Sequence, residues 1–147
     1  MGLDMYLTAK QFFWTGNKKT KKSEEKINKL FPEMKDHKLK YVIYETGYWR
    51  KANHIHNWFV VNVQGGEDNC GEYFVSRDDL KELRRVCEKA LNNRKNAGEI
   101  LPTAEGFFFG DTKYDGYYFD ACKDTIKVID KALKLPEAWE FSYHSSW

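Results

Sequence analysis

The sequence predicts an α+β domain, with a small, mostly antiparallel sheet of about five short strands and with about four helices. Two observations carry this prediction. Short β-favouring segments alternate irregularly with segments whose apolar residues recur at helical spacing. In addition, 41% of the 147 residues are hydrophobic and 16% are aromatic, enough to fill one core. We therefore expect residues 1–147 to form a single globular domain.

The first half of the chain predicts two strands and two helices. Residues 3–14 alternate loosely between β-favouring and polar residues, as an opening strand does. A short helix is predicted to begin at Ser23, which acidic residues follow, and to end at Pro32. Residues 38–45 show the clearest strand pattern. Residues 49–63 repeat at helical spacing, and one face of that helix carries Trp49, Ala52, Ile55, Phe59, Val60 and Val63.

The middle of the chain predicts a short strand and a long amphipathic helix. Residues 72–75 are the strand, and Ser76 followed by Asp79 has the spacing of a capping box. Apolar residues then repeat at helical spacing as far as Leu91, so Cys87 is predicted to be a core residue.

Aromatic residues dominate the C-terminal third. Residues 106–110 predict a buried strand or an aromatic turn, residues 115–135 a last helix with Cys122 inward, and residues 139–143 a closing strand. The connections after the second strand are long enough for parallel as well as antiparallel pairing, so the strand order stays open.

Positive charge is concentrated near the N-terminus. The net charge is +2, yet residues 10–40 contain ten Lys against four acidic residues, and residues 66–147 contain sixteen acidic against twelve basic residues. The densest run consists of Lys18, Lys19, Lys21 and Lys22. Such a run is typical of a solvated surface or of a patch that faces phosphate or a partner. With Trp14 as the only aromatic residue beside it, the run has little likeness to a sequence-reading nucleic-acid module.

Cysteine spacing and hydropathy narrow the class of protein. Cys70, Cys87 and Cys122 are too widely spaced for a CxxC redox or metal site. No apolar run reaches the ~18 residues of a membrane span, and no signal-peptide pattern is present. Tyr6 stands where N-myristoylation needs Ser or Thr. We therefore expect a cytoplasmic protein with no membrane partner, metal or cofactor.

The junction between the second predicted strand and the second predicted helix has the most unusual composition. A helix N-terminus favours an anion, whereas Arg50 and Lys51 in the first turn oppose the helix dipole. This mismatch indicates a bound anion, or a carboxylate such as Glu45 that neutralises Arg50. The polar face of the predicted helix carries Arg50, Asn53, His54 and Asn57.

Two histidines lie within this helix, on different sides of it. His54 and His56 point in nearly opposite directions, so they cannot chelate one metal from the helix. His56 falls within the apolar face, which predicts either a hydrogen-bonded core histidine or a histidine that lines a pocket.

Two further groups of residues have chemical potential. Cys70 before the strand at 72–75 is either structural or a nucleophile with His56 as its base, and Glu72 can pair with Arg50 or bind a ligand hydroxyl. The aromatic residues at 107–109 and 117–119 flank Asp111 and Asp115, as in a pocket for a planar group or in an ordinary core. No phosphate-binding glycine loop, nucleophile elbow or zinc-protease sequence is present.

Several segments in order resemble a family of small uncharacterised phage and prophage proteins. These segments are MGLDMYL, GYWRKANHIHNWFV, CGEYFVSRDDL, LPTAEGFFFG, YDGYYFD and the final SSW, and residues 15–38 match least. Some members carry a phosphoglycerate kinase label, which we reject because that enzyme is far longer and has two domains. The resemblance implies a phage accessory protein of the bacterial cytoplasm. Such proteins often inhibit host defence by binding a protein or by trapping a nucleotide signal.

The leading hypothesis is a non-enzymatic phage protein that sequesters a small anionic, nucleotide-like ligand such as a host immune signal. One alternative is a protein that binds and inhibits a host antiviral complex, as anti-CRISPR proteins do, and another is a small hydrolase or nuclease using His56, Cys70 or Glu72. An oligomer is compatible with each of the three. The predicted ligand-binding residues are Trp49, Arg50, Lys51, Asn53, His54, His56, Glu72 and Tyr73.

Overall fold

The structure is a computed structural model that describes residues 2–147. Its strands are β1 (Asp4–Phe12), β2 (Tyr41–Arg50), β3 (Tyr73–Val75) and β4 (Trp139–Ser146). They form one antiparallel sheet at the centre of the structure, in the order β2-β1-β4-β3. The helices are α1 (Lys21–Leu30), α2 (Asn53–Asn62), α3 (Arg77–Asn92), α4 (Ala97–Ile100) and α5 (Gly116–Leu133).

The predicted α+β class is confirmed, with one strand fewer and one helix more than expected. Of the two structures predicted for residues 106–110, the turn forms: the amide of Phe109 donates to the carbonyl of Gly106 at 3.1 Å. The extra helix is the short α4. The strand order left open by the sequence contains only antiparallel pairs.

The two faces of the sheet differ in what covers them. Met5, Leu7 and Ala9 of β1 are fully buried on one face, whereas the alternating residues between them are half-buried on the other. Helices α2, α3 and α5 cover the buried face, where the rings of Phe59 and Tyr143 stack with their centroids 3.9 Å apart. Within residues 2–147, no helix covers the other face, here called the open face.

The long helix α3 follows its prediction closely. The Ser76 hydroxyl accepts from the amide of Asp79 at 3.0 Å, and the Asp79 carboxylate accepts from the amide of Ser76 at 2.9 Å. This is the predicted capping box, and it satisfies donors that the helix itself leaves free. Cys87 and Cys122 are both fully buried where α3 packs on α5, so their predicted core positions are confirmed.

The helix predicted from residue 49 begins only at Asn53, because β2 is longer than its sequence pattern indicated. Trp49 pairs with Met5, and Arg50 pairs with Asp4, so both continue the strand beside β1. Lys51, at φ +55°, then ends the strand. Arg50 and Lys51 therefore do not occupy the first turn of a helix, and the predicted conflict with the helix dipole is wrong.

Helix α1 differs from the other long helices because it has no core to face. It begins at Lys21 after Thr20, not at the predicted Ser23, and no side chain caps its N-terminus. Its apolar residues recur on one face, yet none of residues 21–46, all of them described, is buried. With the turn at 32–34 it forms a lobe, residues 14–40, that extends beyond the end of β1.

Candidate functional site

Two neighbouring recesses lie at the N-terminus of α5. The smaller one, here called the cleft, has a volume of about 90 Å³ and is lined by Lys51, His54, Thr103, Asp111, Lys113, Asp115, Tyr117 and Tyr118. The larger one, here called the side recess, has about 270 Å³ and is lined by Tyr48, Trp49, Arg50, Ala52, Tyr117, Asp120, Ala121 and Asp124. Tyr117 lines both recesses, and its hydroxyl donates to the carbonyl of Arg50.

The stem of Lys51 passes close to two glycines. A Cβ atom on Gly110 would lie 3.2 Å from Cβ of Lys51, and one on Gly2 would lie 3.1 Å from its Cε. The Lys51 amide also donates to the carbonyl of Leu3 at 2.7 Å. The aliphatic stem therefore lies in a narrow passage, while the residue as a whole remains exposed at the cleft.

Asn53 is a structural residue beneath the cleft. Its Nδ2 donates to the carbonyls of Phe109 at 3.0 Å and Asp111 at 2.9 Å, and its Oδ1 accepts from the amide of Ala104 at 3.2 Å. These bonds hold the connection 101–115 over α2. Asn53 and His54 are both buried, so the prediction that they lie on a polar helix face is wrong.

His54 is only 3% exposed, and its Nε2 is inaccessible to solvent. The ring hydrogen-bonds with the Cys122 thiol. The ring packs on Tyr118 with the centroids 4.1 Å apart. On its inner side lies Cys122. The Cys87 thiol, by hydrogen bonding, lowers the pKa of Cys122 to about 6, and His54 acts in the same direction against the effect of burial. Burial raises the pKa of Tyr118.

His56 has the core role, one of the two roles predicted for it. It is 1% exposed, its Nδ1 lies 2.7 Å from the hydroxyl of Tyr143, and its Nε2 lies 3.0 Å from Oδ2 of Asp68. Both ring nitrogens are therefore paired. Burial raises the pKa of Tyr143 well above its ordinary value, which keeps this hydroxyl protonated.

Glu72 and Tyr73 lie away from both recesses. Glu72 accepts from the Ser142 hydroxyl at 2.7 Å and from Lys10 Nζ at 3.3 Å on the open face, and these bonds lower the pKa of its carboxyl. The Tyr73 hydroxyl donates to Asn69 at 3.0 Å. His56 lies beneath the other face of the sheet, so one substrate atom cannot contact both His56 and Glu72.

Arg50 has a carboxylate partner, which was one of the two explanations predicted for its position; the other was a bound anion. That partner is Asp4, with Arg50 Nε and Asp4 Oδ1 3.8 Å apart, and not Glu45. The Tyr48 hydroxyl donates to the same Asp4 oxygen at 2.5 Å. Arg50 remains more than half exposed at the edge of the side recess.

The structure thus divides the predicted ligand-binding set. The side recess is lined by Trp49 and Arg50, and the cleft by Lys51 and His54. Asn53 holds the connection beneath the cleft, and the remaining three, His56, Glu72 and Tyr73, lie elsewhere. The cleft also contains residues that the sequence placed in a separate aromatic group. Asp111, Asp115, Tyr117 and Tyr118 reach it because the connection 101–115 folds back over α2.

A second surface feature is an apolar groove between the lobe and β2. Its volume is about 640 Å³, and it is lined by Ile27, Asn28, Phe31, Met34, His37, Lys38, Leu39, Lys40, Tyr41 and Val42. Tyr41 also packs on Phe12, with centroids 5.1 Å apart, so the groove continues onto the open face. The Nζ atoms of Lys10 and Lys40 lie 5.4 and 5.7 Å, respectively, from the centroid of the Tyr41 ring.

Among residues 2–147, no group of three or more His, Cys, Asp or Glu side chains is arranged to hold a metal ion. In the same part of the chain, every helix is too short or too polar to cross a membrane. No protein-family model, no curated protein and no solved structure matches this chain.

Proposed function

We propose that the protein acts by binding another protein through the groove and the adjoining edge of the sheet. One observation carries this proposal: large apolar side chains are exposed on the lobe and on the adjoining ends of β1 and β2, and Phe31, Met34 and Tyr41 among them line the groove. Eight of them are between 43% and 73% exposed, namely Phe12, Trp14, Leu30, Phe31, Met34, Tyr41, Ile43 and Tyr44. Monomeric proteins rarely leave so many apolar side chains together in water, and such patches are typical of interaction sites.

The edge of the sheet supports the same proposal. β2 is an outer strand of ten residues, and no proline blunts it. Its unpaired backbone groups can accept an extended segment of a partner, while the groove beside Tyr41 and Val42 accepts apolar side chains.

Charge indicates the kind of partner. Residues 15–40 contain nine Lys and four acidic residues, and Lys38 and Lys40 line the groove itself. A segment with apolar side chains flanked by acidic residues would match this surface in both hydropathy and charge. The resemblance to phage accessory proteins supports a host antiviral defence protein as that partner, and a binding role rather than a catalytic one.

The test is a pair of charge insertions at exposed positions. In the variant Phe31→Asp/Ile43→Asp, both substitutions fall on half-exposed side chains, so we expect the fold to persist and binding to host proteins to be lost. The matched control is Phe107→Asp. Phe107 is 96% exposed and lies beyond the other end of β1, about 30 Å away at ~3.3 Å per strand residue.

The measurement is quantitative affinity capture from the bacterial host, together with light scattering of the purified protein. Support requires proteins that the wild type and Phe107→Asp capture and the double variant does not. Equal capture by all three would contradict the proposal. A concentration-dependent dimer that the double variant abolishes would instead assign the surface to a second copy of this chain.

Ligand sequestration is a second candidate, and a different observation favours it: Lys51 lines the cleft and forms no salt bridge within residues 2–147. The cleft alone is too small for a nucleotide, because pockets for drug-sized ligands begin at roughly 300 Å³. This candidate therefore depends on what the cleft itself binds.

A further inference from the structure

The backbone hydrogen bonds between β1 and β2 show which residues of β2 face the outer edge of the sheet. Where the two strands begin to pair, the amide of Phe13 donates to the carbonyl of Lys40 at 2.9 Å. In an antiparallel pair, such hydrogen-bonded residues alternate with residues whose amide and carbonyl point away from the neighbouring strand. In the register that follows Lys40, the outward groups are therefore those of Tyr41, Ile43 and Glu45.

These outward backbone groups are free. β2 is the outermost strand on its side of the sheet, and within residues 2–147 no other backbone group bonds to the amides or carbonyls of Tyr41, Ile43 and Glu45. The side chains of all three are exposed as well. This part of the edge can therefore accept hydrogen bonds from, and donate them to, another extended chain.

The free part of the edge has two definite ends. It begins at Tyr41 and ends at Glu45, because Thr46 has no partner in β1 and the register shifts there. Farther along the strand, the Tyr117 hydroxyl already donates to the carbonyl of Arg50. The free edge is about 16 Å long at ~3.3 Å per residue, the length of an ordinary strand. The opposite edge of the sheet, β3, has only three residues.

The side chains along the free edge indicate the chemistry of the segment that fits it. Tyr41 and Ile43 are 43% and 55% exposed on the open face, so apolar residues at alternate positions of an added strand would cover them. The charges are unequal at the two ends. Lys38 and Lys40 lie just before Tyr41, whereas the exposed Glu45 lies at the far end. Acidic residues therefore fit the end of the segment beside Tyr41 and are repelled at the other end.

The geometry points to strand addition as the binding mode: an extended segment of the partner protein pairs with Tyr41–Glu45 and becomes the fifth strand of the sheet. This inference rests on the proposed protein-binding function. The segment has apolar residues at alternate positions and acidic residues at the end beside Lys38 and Lys40. Backbone pairing supplies affinity, and the alternate side chains supply specificity. A partner helix lying in the groove would instead leave the outward amides of β2 unbonded.

The first experiment measures amide hydrogen exchange in the full chain, residue by residue, with and without the host protein identified by affinity capture. We expect the amides of Tyr41, Ile43 and Glu45 to exchange about tenfold more slowly in the complex, because each gains a hydrogen bond. The amides of Val42 and Tyr44, which face β1, should change less. Unchanged exchange at the three outward amides would overturn strand addition. Their protection without any partner, increasing with protein concentration, would overturn it in favour of a second copy of this chain.

The second experiment compares two substitutions at one position. Ile43→Pro removes the outward amide, and proline is tolerated on an edge strand where its nitrogen faces solvent. The matched control, Ile43→Ala, removes the side chain but keeps the amide. We expect Ile43→Pro to weaken binding of the captured protein about tenfold more than Ile43→Ala does, because a backbone acceptor of the partner loses its donor. Equal weakening by the two variants would overturn the pairing.

The outcomes separate this inference from the proposed function. Thermal unfolding shows whether Ile43→Pro folds as Ile43→Ala does, and the exchange measurement needs only the wild type. A captured protein that requires Phe31 and Ile43 yet leaves the outward amides unprotected would overturn strand addition alone. The absence of any host protein that distinguishes the wild type from Phe31→Asp/Ile43→Asp would overturn the proposed function, and strand addition with it.

Discussion

The helix-covered face of the sheet and the lobe contain similar amphipathic helices with opposite outcomes. In α3, Leu80, Leu83 and Cys87 recur at helical spacing and are fully buried. In α1, Ile27 and Leu30 recur in the same manner, yet no residue of the helix is buried. An apolar stripe therefore shows that a helix needs a partner, but not that its own chain supplies one.

The reason for the difference lies in the sheet. Its buried face is already filled by α2, α3 and α5, with Phe59 stacked on Tyr143 at the centre. The chain between β1 and β2 extends beyond the end of β1, so α1 lies outside the sheet and packs on neither of its faces. The exposed apolar surface is thus a consequence of where the topology places the lobe.

The largest expected effect on stability is in the core, on the helix-covered face of the sheet. Phe59→Ala removes a fully buried ring, and we expect the free energy of unfolding to fall by about 3–5 kcal/mol, because a cavity remains. Urea denaturation followed by far-ultraviolet circular dichroism measures the change. A loss below ~1 kcal/mol would mean that the two regions differ less in packing than their burial indicates.

Tyr143→Phe, also in the core, is expected to have the next smaller effect on the free energy of unfolding. It keeps the ring that stacks on Phe59 but removes the hydroxyl that pairs with His56 Nδ1. A buried nitrogen then loses its partner, so we expect a loss of about 1–3 kcal/mol in the same denaturation measurement. Unchanged stability would show that this hydrogen bond contributes nothing, and would leave the ring stack as the whole role of Tyr143.

Glu72→Gln tests the open face through pH. Because hydrogen bonds from Ser142 and Lys10 lower the pKa of the folded carboxyl, its contribution is present above the unfolded pKa of about 4.3 and is lost as pH falls through the lower folded value. At neutral pH we expect a loss of under ~1 kcal/mol in the variant, since the pair is solvent-exposed. The unfolding curves of the wild type and the variant should differ at pH 7 and approach each other at pH 3. The same difference at both pH values would contradict this.

The smallest expected effect is in the lobe. Leu30→Ser removes an apolar side chain that is 73% exposed, so the free energy of unfolding should change by no more than about 0.5 kcal/mol. Thermal unfolding at two protein concentrations provides the measurement. A larger loss that appears only at the higher concentration would show that a second copy covers the lobe.

The sequence predicted those features whose signals are local. The capping box at Ser76 depends on residues three apart, and both of its hydrogen bonds form as predicted. The apolar periodicity of α3 placed Cys87 in the core, and the same reasoning on α2 gave the core role as one of two roles for His56. In each case a single element determines which way the side chain points.

The candidate site was predicted only in part. Lys51 and His54 were identified because cationic and histidine side chains near a helix start indicate an anion, and both line the cleft. The stated reason was wrong, because Lys51 precedes the helix instead of opening it. Asp111 and Lys113 were not joined to them, since nothing local shows that Asn53 ties the connection 101–115 over α2.

By itself, the sequence determined the α+β class, the amphipathic helices and the capped start of α3. The tertiary structure decided the length of β2, the burial of His54 and the exposure of the lobe. β2 continues to Arg50 because β1 offers paired backbone groups there, and α1 is uncovered because the chain between β1 and β2 extends beyond the sheet. Caps and periodicities act over a few residues, whereas strand length and burial depend on groups far away in the chain.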